Sequence, residues 1–141
     1  MLVSNFGFID LNRMAEKILI VDDETDMLVL LRMIIQEQTP YEPLTTPNPL
    51  EVAQILAEKE IALVIADLRL PGLDGFQLLE LIRTGYPLIP VIIITAYDSP
   101  ETAEEALRKG AFDYIPKPFR RERIIQAIEQ GLALQRVKPK G

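Results

Sequence analysis

The sequence contains no cysteine and no histidine. Without cysteine there is no disulfide framework and no thiolate metal site. Without histidine there is no imidazole ligand and no histidine-based triad, so any chemistry must run on carboxylates, hydroxyls and amines. A basic excess is missing too. The formal net charge is −6, which argues against a nonspecific nucleic-acid binder, because phosphate contacts need a positive surface. No apolar run approaches the roughly 18 residues that a membrane-spanning helix requires. The segment before Met14 has scattered apolar residues (Leu2, Val3, Phe6, Phe8, Ile9, Leu11) but no basic start, unbroken apolar stretch or small-residue cleavage site. It does not read as a signal peptide. Together these absences suit a cytoplasmic protein.

What is present is alternation. At 141 residues, 48% of them hydrophobic, the chain is long enough for one domain with one well-buried core. Residues Lys17 to Val21, Ile61 to Ala66 and Val91 to Ile94 are short apolar runs without polar alternation. Such runs suit strands covered on both faces, as in a parallel sheet. Tyr41 to Thr46 is a weaker strand that must lie at a sheet edge or be very short, because Pro43 cannot donate to a ladder. Ala111 to Pro116 is the fifth. Between the strands, apolar residues recur at helical spacing, for example Leu28, Leu31 and Ile35, or Ile124, Ile128 and Leu132. Asp23 or Thr25 can cap the first helix and Pro49 sits near the start of the second. Ser99-Pro100 opens the fourth, with Gly110 beyond its end. Residues 1–14 read as an N-terminal extension, a leader or a short extra helix. The domain then spans 15–135, and 136–141 form a tail or the start of a linker.

Five strands alternating with five helices predict an α/β fold, a doubly wound parallel sheet with helices on both faces. Its strand order is taken as the common 2-1-3-4-5, which leaves the Pro43 strand at an edge. In such sheets ligands bind beyond the carboxyl ends of the strands. Strand one ends in Asp22 and Asp23, strand three in Asp67 and strand four in Thr95, while Lys117 follows strand five. Strands one and three would be neighbours about 4.8 Å apart, crowding three carboxylates into one pocket. Like charges so close raise one another's pKa unless a cation offsets them. Lys117 is one candidate; a divalent ion is the other. Oxygen-only ligands suit Mg²⁺ better than Zn²⁺ or a caged Ca²⁺.

Four segments carry a more specific signal. Lys17-Ile-Leu-Ile-Val-Asp-Asp-Glu24, Asp67-Leu-Arg-Leu-Pro-Gly-Leu-Asp-Gly75, Ile94-Thr-Ala96 and Tyr114-Ile-Pro-Lys-Pro-Phe119 occur in this order at strand ends. In this they resemble the receiver domains of two-component response regulators, across about residues 15–135. The resemblance implies a flavodoxin-like (βα)5 fold. It implies that Asp67 accepts a phosphoryl group from the phosphohistidine of a sensor histidine kinase or phosphotransfer protein. Mg²⁺ would be held by Asp22, Asp23, Asp67 and the backbone carbonyl of Arg69. Lys117 and the Thr95 hydroxyl would receive phosphoryl oxygens, and Ala96 would leave space for them. Tyr114 would swing inward as Thr95 moves, remodelling the surface of the fourth helix, fifth strand and fifth helix. That surface would then serve an output domain, a downstream effector or a homodimer. The chain would be no conventional enzyme, only self-catalysing phosphoryl transfer and autodephosphorylation at Asp67. Arg69 and Tyr97 are candidate tuners of phosphoryl lifetime, and the Lys117–Pro118 bond is expected to be cis.

Each residue also has a bland reading. A lone aspartate after a strand is usually a helix cap or loop residue, and a lone lysine is usually solvated. Thr95 can end a strand on propensity alone. Arg120, Arg121 and Arg123 read as a solvated first turn of the last helix. Among competing functions, a phosphatase with an aspartate nucleophile would want a second aspartate where Arg69 stands. A flavin carrier of the same strand order would need a glycine- and hydroxyl-rich loop where Asp22-Asp23-Glu24 stands. A receiver-like interaction module that is never phosphorylated would have lost the acceptor, acid pair or lysine. The chain also fits the receiver of a larger transcriptional activator or hybrid kinase.

Overall fold

The computed structural model describes residues 16–137, together with two two-residue strands, Val3–Ser4 and Gly7–Phe8, paired antiparallel. The rest of the expected extension 1–14, and the tail from 138, lie outside the described residues. The sheet strands are β1 (Lys17–Val21), β2 (Glu42–Thr46), β3 (Ile61–Ala66), β4 (Val91–Thr95) and β5 (Asp113–Pro116). The helices between and after them are α1 (Thr25–Gln38), α2 (Val52–Glu58), α3 (Gly75–Gly85), α4 (Pro100–Arg108) and α5 (Arg121–Val137). All five strands run parallel in the order β2-β1-β3-β4-β5, the expected 2-1-3-4-5.

Both sheet faces are covered, which is why the strand runs lack polar alternation. Leu19, Val21, Val64, Ala66, Val91 and Ile93 point to one side, against Val52 and Leu56 of α2, Leu78, Leu79 and Ile82 of α3, and Ala106 of α4. Ile18, Ile20, Leu63, Ile65, Ile92 and Ile94 point to the other, against Leu28, Leu31 and Ile35 of α1 and Ile124, Ile128 and Leu132 of α5. The period of two along β1, β4 and the part of β3 from Leu63 onward thus sorts alternate residues into two apolar layers. Each fully buried Ile or Leu side chain contributes about 1.5–3 kcal/mol to this packing.

The ends of the elements refine the expected boundaries. Pro43 does lie on the edge strand, opposite Ile18. Tyr41 falls outside β2; it is buried instead, and its hydroxyl donates to Glu129 on α5. Neither Asp23 nor Thr25 caps α1: Glu24 occupies the N-cap and makes no side-chain capping bond, and Thr25 is already helical. Ser99 does cap α4, accepting from the Thr102 amide with Pro100 in the first turn. Gly110 ends that helix region at φ +102°, a backbone conformation that favours glycine. Ala111 closes onto the Ala106 carbonyl, so β5 starts at Asp113 rather than Ala111. The start of α3 has a device not expected from the motif reading. Asp74 and Gln77 form a reciprocal capping box, each side chain bonded to the other's backbone amide.

Candidate functional site

Register decides which side chains meet. Val21 of β1 is aligned with Ala66 of β3, so Asp22 and Asp67 leave the sheet side by side. The Asp67 amide extends that ladder, donating to the Val21 carbonyl at 3.2 Å. On β4 and β5, Thr95 is aligned with Pro116, and the Lys117 amide donates to the Thr95 carbonyl at 2.9 Å. The sheet edge therefore delivers Asp22, Asp67, Thr95 and Lys117 to one place before any side chain is considered. Asp22 and Asp67 are both buried, and Thr95 is wholly so.

Close backbone approach holds the loop after Asp67. A Cβ on Gly75 would fall 2.5 Å from the Asp67 carbonyl oxygen and 2.5 Å from Leu68 Cα. Glycine alone lets the start of α3 come so near, and the Gly75 amide donates to the Leu68 carbonyl at 2.9 Å. The carboxylates are then fixed locally: Asp22 Oδ1 accepts from the Glu24 amide at 2.9 Å, and Asp67 Oδ1 from the Arg69 amide at 3.1 Å.

The remaining carboxylate oxygens converge on one ammonium. Lys117 Nζ donates to Asp67 Oδ2 at 2.8 Å, Glu24 Oε1 at 2.9 Å and Asp22 Oδ2 at 3.0 Å. Burial alone would depress the Lys117 pKa, but the bonds to Asp67, Glu24 and Asp22 outweigh it and hold the amine well above its usual value. One ammonium shared among three carboxylates cannot compensate each of them. Burial thus raises the Asp22 carboxyl above its usual range despite the Glu24 amide and Lys117.

Around this centre lies a cleft of about 300 Å³ lined by Asp23, Glu24, Asp67, Arg69, Thr95 and Ala96. Asp22, Glu24 and Asp67 each offer an oxygen, all within 4.8 Å of one another. The donor set is carboxylate only, and three clustered anions favour a hard divalent cation such as Mg²⁺. Asp23 is exposed on the cleft wall, and its carboxylate is not one of the three clustered groups. Glu24 stands there in its place. The motif reading treated Glu24 only as part of an acidic run, and its position directly after Asp22-Asp23 was the available signal.

The expected switch residues are also connected. Thr95 Oγ1 accepts from the Tyr97 amide at 3.1 Å, and the Tyr114 hydroxyl donates to the Tyr97 carbonyl at 2.7 Å. Burial, then the charges of Asp98 and Asp67, raise the Tyr114 hydroxyl above its usual pKa. The Arg69 guanidinium lies over the Tyr97 ring, 3.9 Å from its centroid. The Lys117–Pro118 bond is cis. Arg123 departs from the solvated turn expected of the arginine group, making two bonds to the Asp113 carboxylate at 2.8 and 2.9 Å.

Comparison with known proteins agrees with this geometry. Residues 18–129 match the family model of the response regulator receiver domain. The chain is 37% identical over 123 residues to a putative response regulator NtrX-like of Rickettsia bellii (strain RML369-C), covering 86% of this chain and 26% of that one. It is 34% identical over 117 residues to the DNA-binding transcriptional regulator NtrC of Escherichia coli (strain K12), covering 81% and 24%. Among solved structures, a response regulator receiver domain protein from Clostridium thermocellum superposes with a TM-score of 0.81 at 30% identity, covering 86% of this chain and 98% of that one. The chain spans about a quarter of the length of the curated relatives it matches.

Proposed function

The chain belongs to the response regulator receiver domain family, and we propose that Asp67 is the carboxylate that takes up the phosphoryl group. The observation that carries this reading is the Lys117 ammonium, 2.8 Å from Asp67 Oδ2 and held by acids arriving from separate strand ends. An Asp67 oxygen attacks phosphorus of a phosphohistidine on a sensor histidine kinase or phosphotransfer protein. The O–P bond forms as the P–N bond breaks, and the imidazole nitrogen departs with the electron pair. Such a transfer needs in-line positioning and charge neutralisation more than an acid or base, which suits a site without histidine. Lys117 exchanges the Asp67 oxygen for a phosphoryl oxygen, the Thr95 hydroxyl donates to another, and Ala96 leaves space. Asp22, Asp23, Asp67 and the Arg69 carbonyl would hold Mg²⁺, with Glu24 beside them. When bound, the ion would supply further neutralisation of phosphoryl charge. Loss of the group to water by the same residues returns the resting state.

Drawing Thr95 toward the phosphoryl group would shift Tyr114 inward and remodel the α4–β5–α5 surface, a population shift toward the active arrangement. We take residues 15–135 as the receiver unit, in the cytoplasm. Among the described residues no helix is long and apolar enough to cross a membrane. The relatives' greater length, and the Escherichia coli relative's being a DNA-binding transcriptional regulator, support an output domain of that kind over a hybrid kinase. Homodimerisation would use the same α4–β5–α5 surface. Nucleic acid would be contacted by the output domain rather than by this one.

Intact-mass measurement after incubation with acetyl phosphate and Mg²⁺ tests the reading. The wild-type chain should gain the mass of one phosphoryl group, and Asp67→Asn should gain none. An Asp67→Asn chain phosphorylated as fully as wild type would overturn it.

A further inference from the structure

Three contacts meet on one residue that the proposed transfer does not itself use. Tyr97 gives its amide to the Thr95 hydroxyl, its carbonyl to the Tyr114 hydroxyl and its ring face to the Arg69 guanidinium. The first two partners are the pair whose movement would carry the signal. The third belongs to the loop that follows Asp67. Tyr97 is half-exposed, and its segment leads at once into Ser99, the N-cap of α4.

The geometry points to Tyr97 as a positioning residue, pinned by Arg69, that holds the switch in its resting arrangement; the inference rests on phosphoryl acceptance at Asp67. Thr95 can donate to a phosphoryl oxygen while its Oγ1 still accepts from the Tyr97 amide, so a shift of Thr95 toward that oxygen draws the Tyr97 backbone with it. Tyr114 cannot move inward and still reach the Tyr97 carbonyl. Both steps therefore displace the Tyr97 backbone, and a ring clamped beneath a guanidinium resists that displacement. The clamp spans the two loops that wall the cleft, one after β3 and one after β4. Phosphoryl uptake is thereby tied to the start of α4. Arg69 acts here through its side chain, separately from the metal-facing carbonyl assigned to it.

The backbone groups of Tyr97 remain in any side-chain variant, so truncating the ring removes the clamp alone. Stabilising the resting arrangement weakens any ligand that favours the active one, and removing the clamp should strengthen it. The test titrates the full chain with beryllofluoride and Mg²⁺ and follows backbone amide shifts by NMR. Arg69→Ala and Tyr97→Ala should each lower the half-saturating beryllofluoride concentration about two- to fivefold, the range set by one exposed cation–π contact. In both variants without beryllofluoride, the Tyr114 amide should move toward its beryllofluoride-bound position. The double variant should gain no more than either single one, because both remove the same contact. Tyr97→Trp, which keeps a ring for the guanidinium, should titrate as wild type. Core amide shifts identify any variant that misfolds, and the other single variant then decides. Unchanged titration with an unmoved Tyr114 amide, or additive effects in the double variant, would overturn the clamp. A wild-type chain that binds no beryllofluoride would instead overturn acceptance at Asp67.

Discussion

Asp22 ionises against its surroundings, whereas the amine that faces it is held charged by three acids at once. Its folded pKa lies above its unfolded value because burial outweighs the Glu24 amide and Lys117. A carboxyl shifted in this direction costs stability as pH rises. The cost is absent well below the unfolded value of 3.8, grows as pH climbs toward the folded value, and is complete above it. Asp22→Asn removes the charge at nearly constant volume. It should therefore stabilise the fold at pH 7, and the gain should be gone at about pH 3, where both carboxyl states are protonated. Urea unfolding of both proteins at the two pH values checks this; a destabilised variant at pH 7 would show that the Lys117 and Glu24 bonds outweigh burial. Not every role of this kind was legible at the level of single residues. The strand-terminal acids and Lys117 could be placed because each follows an apolar run. Glu24 in the cluster and Arg123 on Asp113 depend on side-chain reach, which no run or period encodes.

The elements position the site through two devices of different kind. At α4 the device is chemical: Ser99 supplies an acceptor to the first turn. Replacing it with alanine should cost about 1 kcal/mol and leave phosphoryl uptake at Asp67 in place. At α3 the device is spatial. Gly75→Ala must displace the Asp67 carbonyl or the Leu68 backbone, because its Cβ would lie 2.5 Å from each. Backbone cannot yield as a side-chain tip can, so about 1–3 kcal/mol of strain is expected, together with slower phosphoryl uptake as the acceptor loop shifts. Denaturant titration combined with the rate of mass gain separates the two cases. Equal uptake rates in Gly75→Ala and wild type would contradict the spatial account. The apolar runs and Ser99-Pro100 revealed most of these elements in advance. The Asp74–Gln77 box was present as an aspartate three residues before a glutamine, but its aspartate lay inside a motif read for other chemistry. The N-terminal edge of α1 was misplaced because Asp23 and Thr25 both resemble caps by residue type. Only the backbone shows that Asp22 spends its oxygen on the Glu24 amide and that Glu24 stands at the cap.

At the scale of the whole molecule, strand order turns scattered sequence positions into a site. Residues 22, 67, 95 and 117 are far apart in the chain, and the 2-1-3-4-5 order brings β1 beside β3 and β5 beside β4. That order is the common one for such sheets, and it fits Pro43, which needs an edge. The same reasoning could not anticipate the link from Arg69 through Tyr97 to Tyr114, which arises from how two loops fold over the sheet edge. The central claim is that the phosphoryl group lands on Asp67 and on no neighbouring acid. Borohydride reduces an acyl phosphate on aspartate to homoserine, so reduction after incubation with acetyl phosphate and Mg²⁺, followed by peptide sequencing, locates the acceptor. The account predicts homoserine at position 67. Reduction at Asp22, Asp23 or Glu24 instead, with Asp67 recovered intact, would contradict it.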